Sequence, residues 1–358
     1  MASRAANTVP CSSNGFAFFI GVDDMVGSSS LSEPHPGFLI TCMGGTGLAA
    51  AEYVRALYEA DGRPFPMFLQ QMDTDRLTSD AFDQSILIGL TDAKVNAIVS
   101  NPAVFGPIVE TIVKHYAHLL NPEDVKDGSR TIRLLTQLSF IYHRTQILEK
   151  LRHALIELVH QGWVGSVIPI FISSSGGGAG SALQILLAQA LAEPTFRNRL
   201  LEGQTPGLLS TPISCVVEPF ALAMRNRNSQ ATMILANAMA FRMESAVLEN
   251  CNAFKYVIHL GLANRAGVVL DSPDEIAKVL GTSVYLFQRN WPLLKGQIVN
   301  GVDTNRMLRH YAGHDVPEIV KRGVSPIELS ARARVRKQGP HGNGRYTVTV
   351  AANSAGTP

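Results

Sequence analysis

The sequence of 358 residues predicts an α/β fold, a Rossmann-like parallel sheet with helices on both of its faces. Short apolar runs without polar alternation take turns with longer segments of helical periodicity, which is the pattern of parallel strands covered on both sides. Each glycine-rich segment directly follows an apolar run, at the carboxyl end of a predicted strand, where ligands bind in such folds. With 46% hydrophobic and 17% charged residues, the chain has enough apolar surface for a large core.

The elements follow in chain order. The predicted strands are 38–42, 66–71, 166–173, 213–217 and 255–262. The predicted helices are 48–60, 103–120, 130–161, a segment from about Ser181, 228–250 and 273–299, the last with an interruption at Pro292.

Charge and cysteine usage limit the class of protein. A net charge of +2 does not favour nucleic-acid binding, although the chain has no acidic residue after Glu328 and ends in a basic tail that is either solvated or a weak acidic-partner contact. The four cysteines form no CxxC pair, which predicts a reducing cytoplasm and no zinc site. No apolar stretch is long enough for a membrane span. His310 and His314 have metal-like spacing but no adjacent glutamate, so no metal site is predicted there.

The first glycine loop is "MGGTG", which contains Gly44, Gly45, Thr46 and Gly47. It lies between a predicted strand and helix, and with Asp73 at the end of the next strand it imitates the dinucleotide-binding fingerprint. A Rossmann-type oxidoreductase that uses this loop alone is therefore one functional hypothesis.

The second loop, "SGGGAGS", follows the predicted strand 166–173. Gly176, Gly177 and Gly178 leave their amides unshielded, and Gly180 and Ser181 open a helix whose N-terminus favours an anion. A dinucleotide fold does not need this second loop, and the absence of G-K-[ST] excludes a P-loop. The alternative is a tight helix–strand crossing without a ligand.

Around this loop, "IFISSSGGGAGSALQILLAQAL" resembles the tubulin/FtsZ signature GGGTG[ST], with Ala179 in place of the threonine. The other nucleotide-loop segments of that superfamily are matched in order across residues 38–305, by "FLITCMGGTG", "MFLQQMDTDRL", "NPAVFG", "CVVEPFALAMRNR", "VIHLGLAN" and "EIAKVLGTSVYLF…LLKGQIVNGV". The resemblance implies a GTP- or GDP-binding domain that self-associates into an oligomer or filament, or assembles with a related partner chain.

The resemblance also implies roles for the matched residues. Gly44–Gly47 and Gly176–Ser181 would bind phosphate oxygens through their amides, and Asp73 or Asp75 would hold Mg²⁺ through water or orient a hydroxyl. Arg227 would cover the sugar or base, and Asn264 would read guanine. From the residues alone, alternatives stay open. The two aspartates could form a solvated turn or a helix cap, Arg227 could be a surface charge, and Asn264 could be a loop residue that caps its own backbone.

Hydrolysis in this superfamily is completed by a loop of the next subunit, and "VNGVDTNRML" loosely resembles that loop. Asn300 and Asp303 are then the catalytic candidates, against the alternative of an ordinary polar turn. A scaffold that binds little or no nucleotide is the second structural hypothesis.

The predicted organisation is an N-terminal extension (1–37), a nucleotide-binding domain (38–270), a central helix with the following loop (271–305) and a short C-terminal segment with a basic, flexible tail (306–358). The second domain of the superfamily is expected to be reduced or absent.

Overall fold

A six-stranded parallel sheet organises the chain. The computed structural model describes residues 36–75, 79–120, 131–161, 165–219, 229–262, 270, 272–291, 333–337 and 346–350. The strands are β1 (Gly37–Met43), β2 (Met67–Asp73), β3 (Gln84–Leu87), β4 (Val167–Ser174), β5 (Ile213–Glu218) and β6 (Tyr256–Gly261). Their order in the sheet is β3-β2-β1-β4-β5-β6, and every neighbouring pair is parallel.

The helices of the described residues are α1 (Gly44–Ala60), α2 (Asp92–Ser100), α3 (Pro107–Tyr116), α4 (Arg133–Tyr142), α5 (Arg144–His160), α6 (Gly178–Ala192), α7 (Pro194–Leu200), α8 (Ser229–Asn250) and α9 (Pro273–Arg289). Short 3₁₀ turns cover Pro102–Phe105 and Ala117–Leu119. Two further strands, β7 (Ala333–Lys337) and β8 (Tyr346–Val350), form an antiparallel pair.

The sheet is covered on both faces, so the predicted fold class is confirmed. On one face, α1 and α9 pack on residues such as Phe38, Ile40 and Ile170. On the other face, α5, α6 and α8 pack on the alternate residues, among them Leu39 and Phe171. A smaller cluster joins α2, α3 and α4 beside the sheet. Because successive side chains of a strand point to opposite faces, two covered faces require strands that are apolar at nearly every position.

Some element predictions were wrong in detail. The predicted helix over 130–161 divides at His143, whose ring contacts Lys94 and Gln146, with Lys94 Nζ 3.1 Å from His143 Nε2. The predicted helix over 103–120 is interrupted at Gly106, which has a φ of +99°. The edge strand β3 and the helices α2 and α7 were not predicted, and neither was the β7–β8 pair.

Two features of the sequence, its lack of a membrane-spanning stretch and its lack of a CxxC pair, also concern the described residues. No helix among the described residues is long and apolar enough to cross a membrane. The cysteines within the described ranges, Cys42, Cys215 and Cys251, are free. Burial raises the pKa of Cys215 to about 12, so this thiol stays protonated and packs as a small apolar side chain.

Candidate functional site

The two glycine loops meet at the centre of the sheet. β1 and β4 are neighbours, and the strand order reverses between them, which is where ligands bind in open α/β sheets. A Cβ added at Gly44 would lie 3.1 Å from the amide nitrogen of Gly180, and one added at Gly180 would lie 3.0 Å from the Met43 carbonyl oxygen. Gly44 also has a φ of +68°. Both positions therefore need glycine for the loops to approach each other.

Each loop presents backbone amides for which the described residues supply no acceptor. α1 and α6 begin directly at the loops, and no side chain caps either helix. Within the described part of the chain, no hydrogen-bond acceptor takes the amides of Gly44–Thr46 or of Gly177–Gly180. Such amide groups, together with the positive ends of two helix dipoles, favour an anion.

The space in front of the loops is open at two glycines. No heavy atom lies within 4 Å of a Cβ added at Gly45 or at Gly177. Gly45 is exposed and Gly177 is half-buried. Each of these two positions is therefore open to a larger side chain, unlike Gly44 and Gly180.

Packing explains the other glycines of the second loop. A Cβ at Gly176 would lie 2.6 Å from both Ile234 Cγ2 and Pro219 Cγ, and one at Gly178 would lie 2.5 Å from the carbonyl carbon of Thr131. The alternative of a tight crossing thus accounts for Gly176 and Gly178, whereas nothing in the packing of the described residues requires glycine at 177.

Ser181 and Ala179 lie inside the loop structure. The Ser181 hydroxyl is fully buried and donates to the Gly177 carbonyl, which closes the loop onto the first turn of α6. Ala179 is also buried, close to the first loop. The Ser181 side chain therefore shapes the loop, while its backbone belongs to the start of α6.

A buried carboxylate supports the second loop from behind. Glu218, at the end of β5, is 3% exposed, and its Oε2 accepts a 3.1 Å hydrogen bond from Ser175 Oγ. Its Oε1 lies 2.6 Å from His259 Nδ1 and accepts from Arg242 Nε at 3.1 Å. Burial acts to raise the pKa of Glu218, but the hydrogen bond and charge of His259 and the charge of Arg242 outweigh it and hold that pKa below its ordinary value.

The Asn237 side chain, on α8, contacts the same loop. Its Nδ2 donates to the Gly176 carbonyl at 3.1 Å and to the Thr131 carbonyl at 2.8 Å. Thr131 directly precedes Ile132 and α4, and it lies over Gly178. One amide group therefore joins the loop to the segment that covers it.

The two aspartates follow β2, the neighbour of β1. Asp73 is 5% exposed, and its Oδ1 accepts from the amides of Thr74 at 2.7 Å and Asp75 at 3.2 Å. Burial raises the pKa of Asp73 above its ordinary value, and these amide bonds oppose the rise. Asp73 therefore uses one carboxylate oxygen to form its own turn, while Asp75 is exposed.

A lysine–histidine pair lies beyond the end of β3. Lys94 Nζ donates to the Gly89 carbonyl at 3.1 Å and lies 3.1 Å from His143 Nε2. His143 Nδ1 lies 2.8 Å from Gln146 Oε1, an acceptor, which assigns the proton to Nδ1 and leaves Nε2 to accept from Lys94. Burial lowers the pKa of His143, and the charge of Lys94 lowers it further.

Four predicted site residues, Arg227, Asn264, Asn300 and Asp303, lie outside the described residues, as do His310 and His314. The structure brings the two glycine loops together. Asp73 lies beside the first loop, because Met43 and Met72 are paired in neighbouring strands and are followed by Gly44 and Asp73. The roles of the site residues thus stay predictions.

Sequence reasoning missed Glu218 and Asn237. A signal existed for Glu218, because a carboxylate at the end of an otherwise apolar strand needs a partner. Asn237 stands among alanines and methionines within a helix, where asparagine is a poor helix former. Neither residue's partner is near it in sequence, so only the fold reveals the contact.

Fold and loops together define a Rossmann-like α/β protein with two glycine loops at its switch point, and these loops resemble those of the tubulin/FtsZ superfamily. Among solved structures, the chain is similar to CetZ2 from Haloferax volcanii, described as a GTPγS-bound protofilament, with 13% identity and a TM-score of 0.46 over 75% of this chain and 63% of that one. It is also similar to a monomeric subunit of TubZ from bacteriophage PhiKZ, with 13% identity and a TM-score of 0.34 over 70% of this chain and 62% of that one.

The chain spans less than two thirds of the length of either protein. No protein-family model matches the sequence, and no curated protein matches it either.

Proposed function

We propose that the protein binds a guanine nucleotide between its two glycine loops and acts as a nucleotide-dependent assembly module. The observation that carries the proposal is the contact of both loops at the switch point, where the starts of two helices present amides without described acceptors and where Gly45 and Gly177 each face open space. An anion with several oxygens, such as a di- or triphosphate, matches two converging sets of donors better than a single phosphate does.

Residues 73–75 fit a Mg²⁺ ion that is held mainly by phosphates and water. Asp73 uses one oxygen for its own turn, whereas Asp75 is exposed. Because Mg²⁺ retains several waters, one carboxylate together with nucleotide phosphates is sufficient to hold it. Bound there, the ion would neutralise phosphate charge.

Guanine recognition by Asn264, sugar or base contact by Arg227 and hydrolysis by Asn300 and Asp303 of a neighbouring copy are proposals from the superfamily resemblance alone. So are self-association and assembly with a related chain, whereas a cytoplasmic location is proposed from the cysteine usage. A scaffold without nucleotide and a dinucleotide-dependent oxidoreductase are the two competing functions.

The nucleotide content of the purified protein separates these functions. Denaturation followed by chromatography should release GDP or GTP. Release of NAD(P) would overturn the proposal. If nothing is released and added GTP or GDP does not bind in Mg²⁺, the protein is the scaffold. Size-exclusion chromatography at high and low GTP then tests whether nucleotide changes the oligomeric state.

Hydrolysis has its own test. Asp303→Ala should abolish GTP turnover and leave GDP affinity unchanged, because an acidic group that activates water is not needed for binding. Asp315→Ala, which removes an acid outside the matched loop, is the control. Unchanged turnover or lost binding in Asp303→Ala would remove Asp303 from the mechanism.

A further inference from the structure

Asn237 connects two segments that are distant in sequence. Its side chain is 8% exposed, and the two hydrogens of Nδ2 bond to the carbonyls of Gly176 and Thr131. A buried carbonyl that loses its donor carries a desolvation cost, so both segments depend on this amide.

The Thr131 backbone needs such support. Thr131 has a φ of +69°, a conformation that non-glycine residues rarely adopt and that persists only where the surroundings fix it. Besides Asn237, α8 supplies Met233, whose sulfur lies 3.0 Å from Thr131 Oγ1, and Glu244, which pairs with Arg133.

The same segment lies directly on the second glycine loop. A Cβ at Gly178 would lie 2.5–2.7 Å from the backbone atoms of Thr131 and Ile132. Gly176 and Gly178 flank Gly177, the residue that faces open space. Asn237 thus holds the loop at Gly176 and, through Thr131, at Gly178.

We propose that Asn237 is a positioning residue for the phosphates of the bound nucleotide. By fixing the Gly176 carbonyl and the Thr131 turn, it fixes the peptide planes between them, and so the direction of the Gly177 and Gly178 amides. The inference rests on the proposed function, because it names a determinant of affinity at that same site.

The test compares Asn237→Ala with Ser245→Ala. Ser245 is a buried polar residue of the same helix whose hydroxyl bonds within the helix, to the Arg242 carbonyl at 3.2 Å. Asn237→Ala should weaken GDP binding in Mg²⁺ about tenfold, or ~1.4 kcal/mol, and speed amide hydrogen exchange across residues 176–180 in the absence of nucleotide. Ser245→Ala should change neither.

Asn237→Asp supplies a readout that a merely structural role would not move. As a carboxylate it places two acceptors against two carbonyls, whereas the protonated acid regains one donor. Such burial raises a carboxyl pKa. The affinity of the variant relative to wild type should therefore fall as the pH rises between about 5 and 8. Ser245→Ala should show no such trend. If Asn237→Ala does not fold, this profile decides the question.

Unchanged GDP affinity and unchanged exchange in Asn237→Ala, or a flat pH profile in Asn237→Asp, would overturn the inference. If the wild type itself binds no GDP, the proposed function fails, and the exchange measurement alone judges Asn237. Faster exchange at 176–180 would then support its hold on the loop, and unchanged exchange would refute it.

Discussion

Alanine at Gly178 should destabilise the fold and alanine at Gly177 should leave its stability nearly unchanged, although the two glycines are adjacent. At Gly178 the new Cβ would lie 2.5 Å and 2.6 Å from the carbonyl carbon and Cα of Thr131 and 2.7 Å from the Ile132 nitrogen. Ordinary van der Waals contact begins at 3.4 Å, so the backbone of one segment must move by almost an ångström.

Forced displacement of this kind costs about 1–3 kcal/mol. For a domain of this size each kcal/mol lowers Tm by roughly 2–4 °C, so Gly178→Ala should lose about 2–12 °C. Gly177 has a φ of −76°, which alanine adopts freely, and its Cβ would meet no atom within 4 Å. Alanine at 177 lowers the entropy of the unfolded chain, which stabilises the fold, but it is a poorer helix N-cap than glycine, which destabilises it. The two effects offset each other, so the free energy of unfolding should change by about 0.5 kcal/mol or less.

Thermal and urea unfolding of both variants, followed by circular dichroism, measure the difference. Gly177→Val, whose side chain extends into the open volume, should in addition weaken GDP binding. Equal stabilities of Gly177→Ala and Gly178→Ala would refute the placement of Thr131 on the loop, and undiminished GDP binding by Gly177→Val would refute the ligand volume.

Three further predictions concern packing and pH. Gly47→Ala should destabilise by about 1–3 kcal/mol in urea unfolding, because its Cβ would lie 2.5 Å from the Ile172 carbonyl oxygen. Gly45→Ala, in open space within α1, should be neutral or stabilise by up to about 1 kcal/mol. The pKa of His143 is depressed, so the unfolded chain takes the proton first, and unfolding free energy should fall as the pH drops below 6.5. His143→Gln should lose that dependence, and an identical pH profile would contradict the assignment. The contacts of the ionised Glu218 carboxylate lower its pKa, so they stabilise the fold fully above pH 4.5. This stabilisation is lost as the pH falls through the lower pKa that Glu218 has in the folded protein. Glu218→Gln should therefore cost about 1.5–3 kcal/mol near neutral pH and less in acid, and a constant difference between the two proteins would be the contrary result.

Most of the sheet could be predicted because its strands are covered on both faces. Continuous apolar runs such as those of β1 and β4 are distinctive, and each is followed directly by a glycine loop. The edge strand β3, Gln84–Leu87, has only one buried residue and therefore no continuous apolar run that would predict a strand. Polar contacts hold it to β2, since Gln84 Nε2 donates to Gln70 Oε1 at 2.7 Å and Ser85 Oγ donates to Gln71 Oε1 at 3.2 Å.

For the candidate site, the sequence located both loops but not the reasons for their glycines. The predicted phosphate role treats Gly176, Gly177 and Gly178 alike, because a run of glycine looks the same whatever surrounds it. The structure separates them through atoms that are remote in sequence, namely Ile234, Pro219 and Thr131.

The sequence by itself determined the α/β class and the positions of the glycine loops, since periodicity and the special backbone freedom of glycine are local properties. The tertiary structure decided which strands are neighbours, which brings the two loops into contact at the switch point. It also decided the supports of the second loop, Glu218 and Asn237. Those supports depend on hydrogen bonds between separate elements, and a bond of that kind exists only after the helices have packed on the sheet.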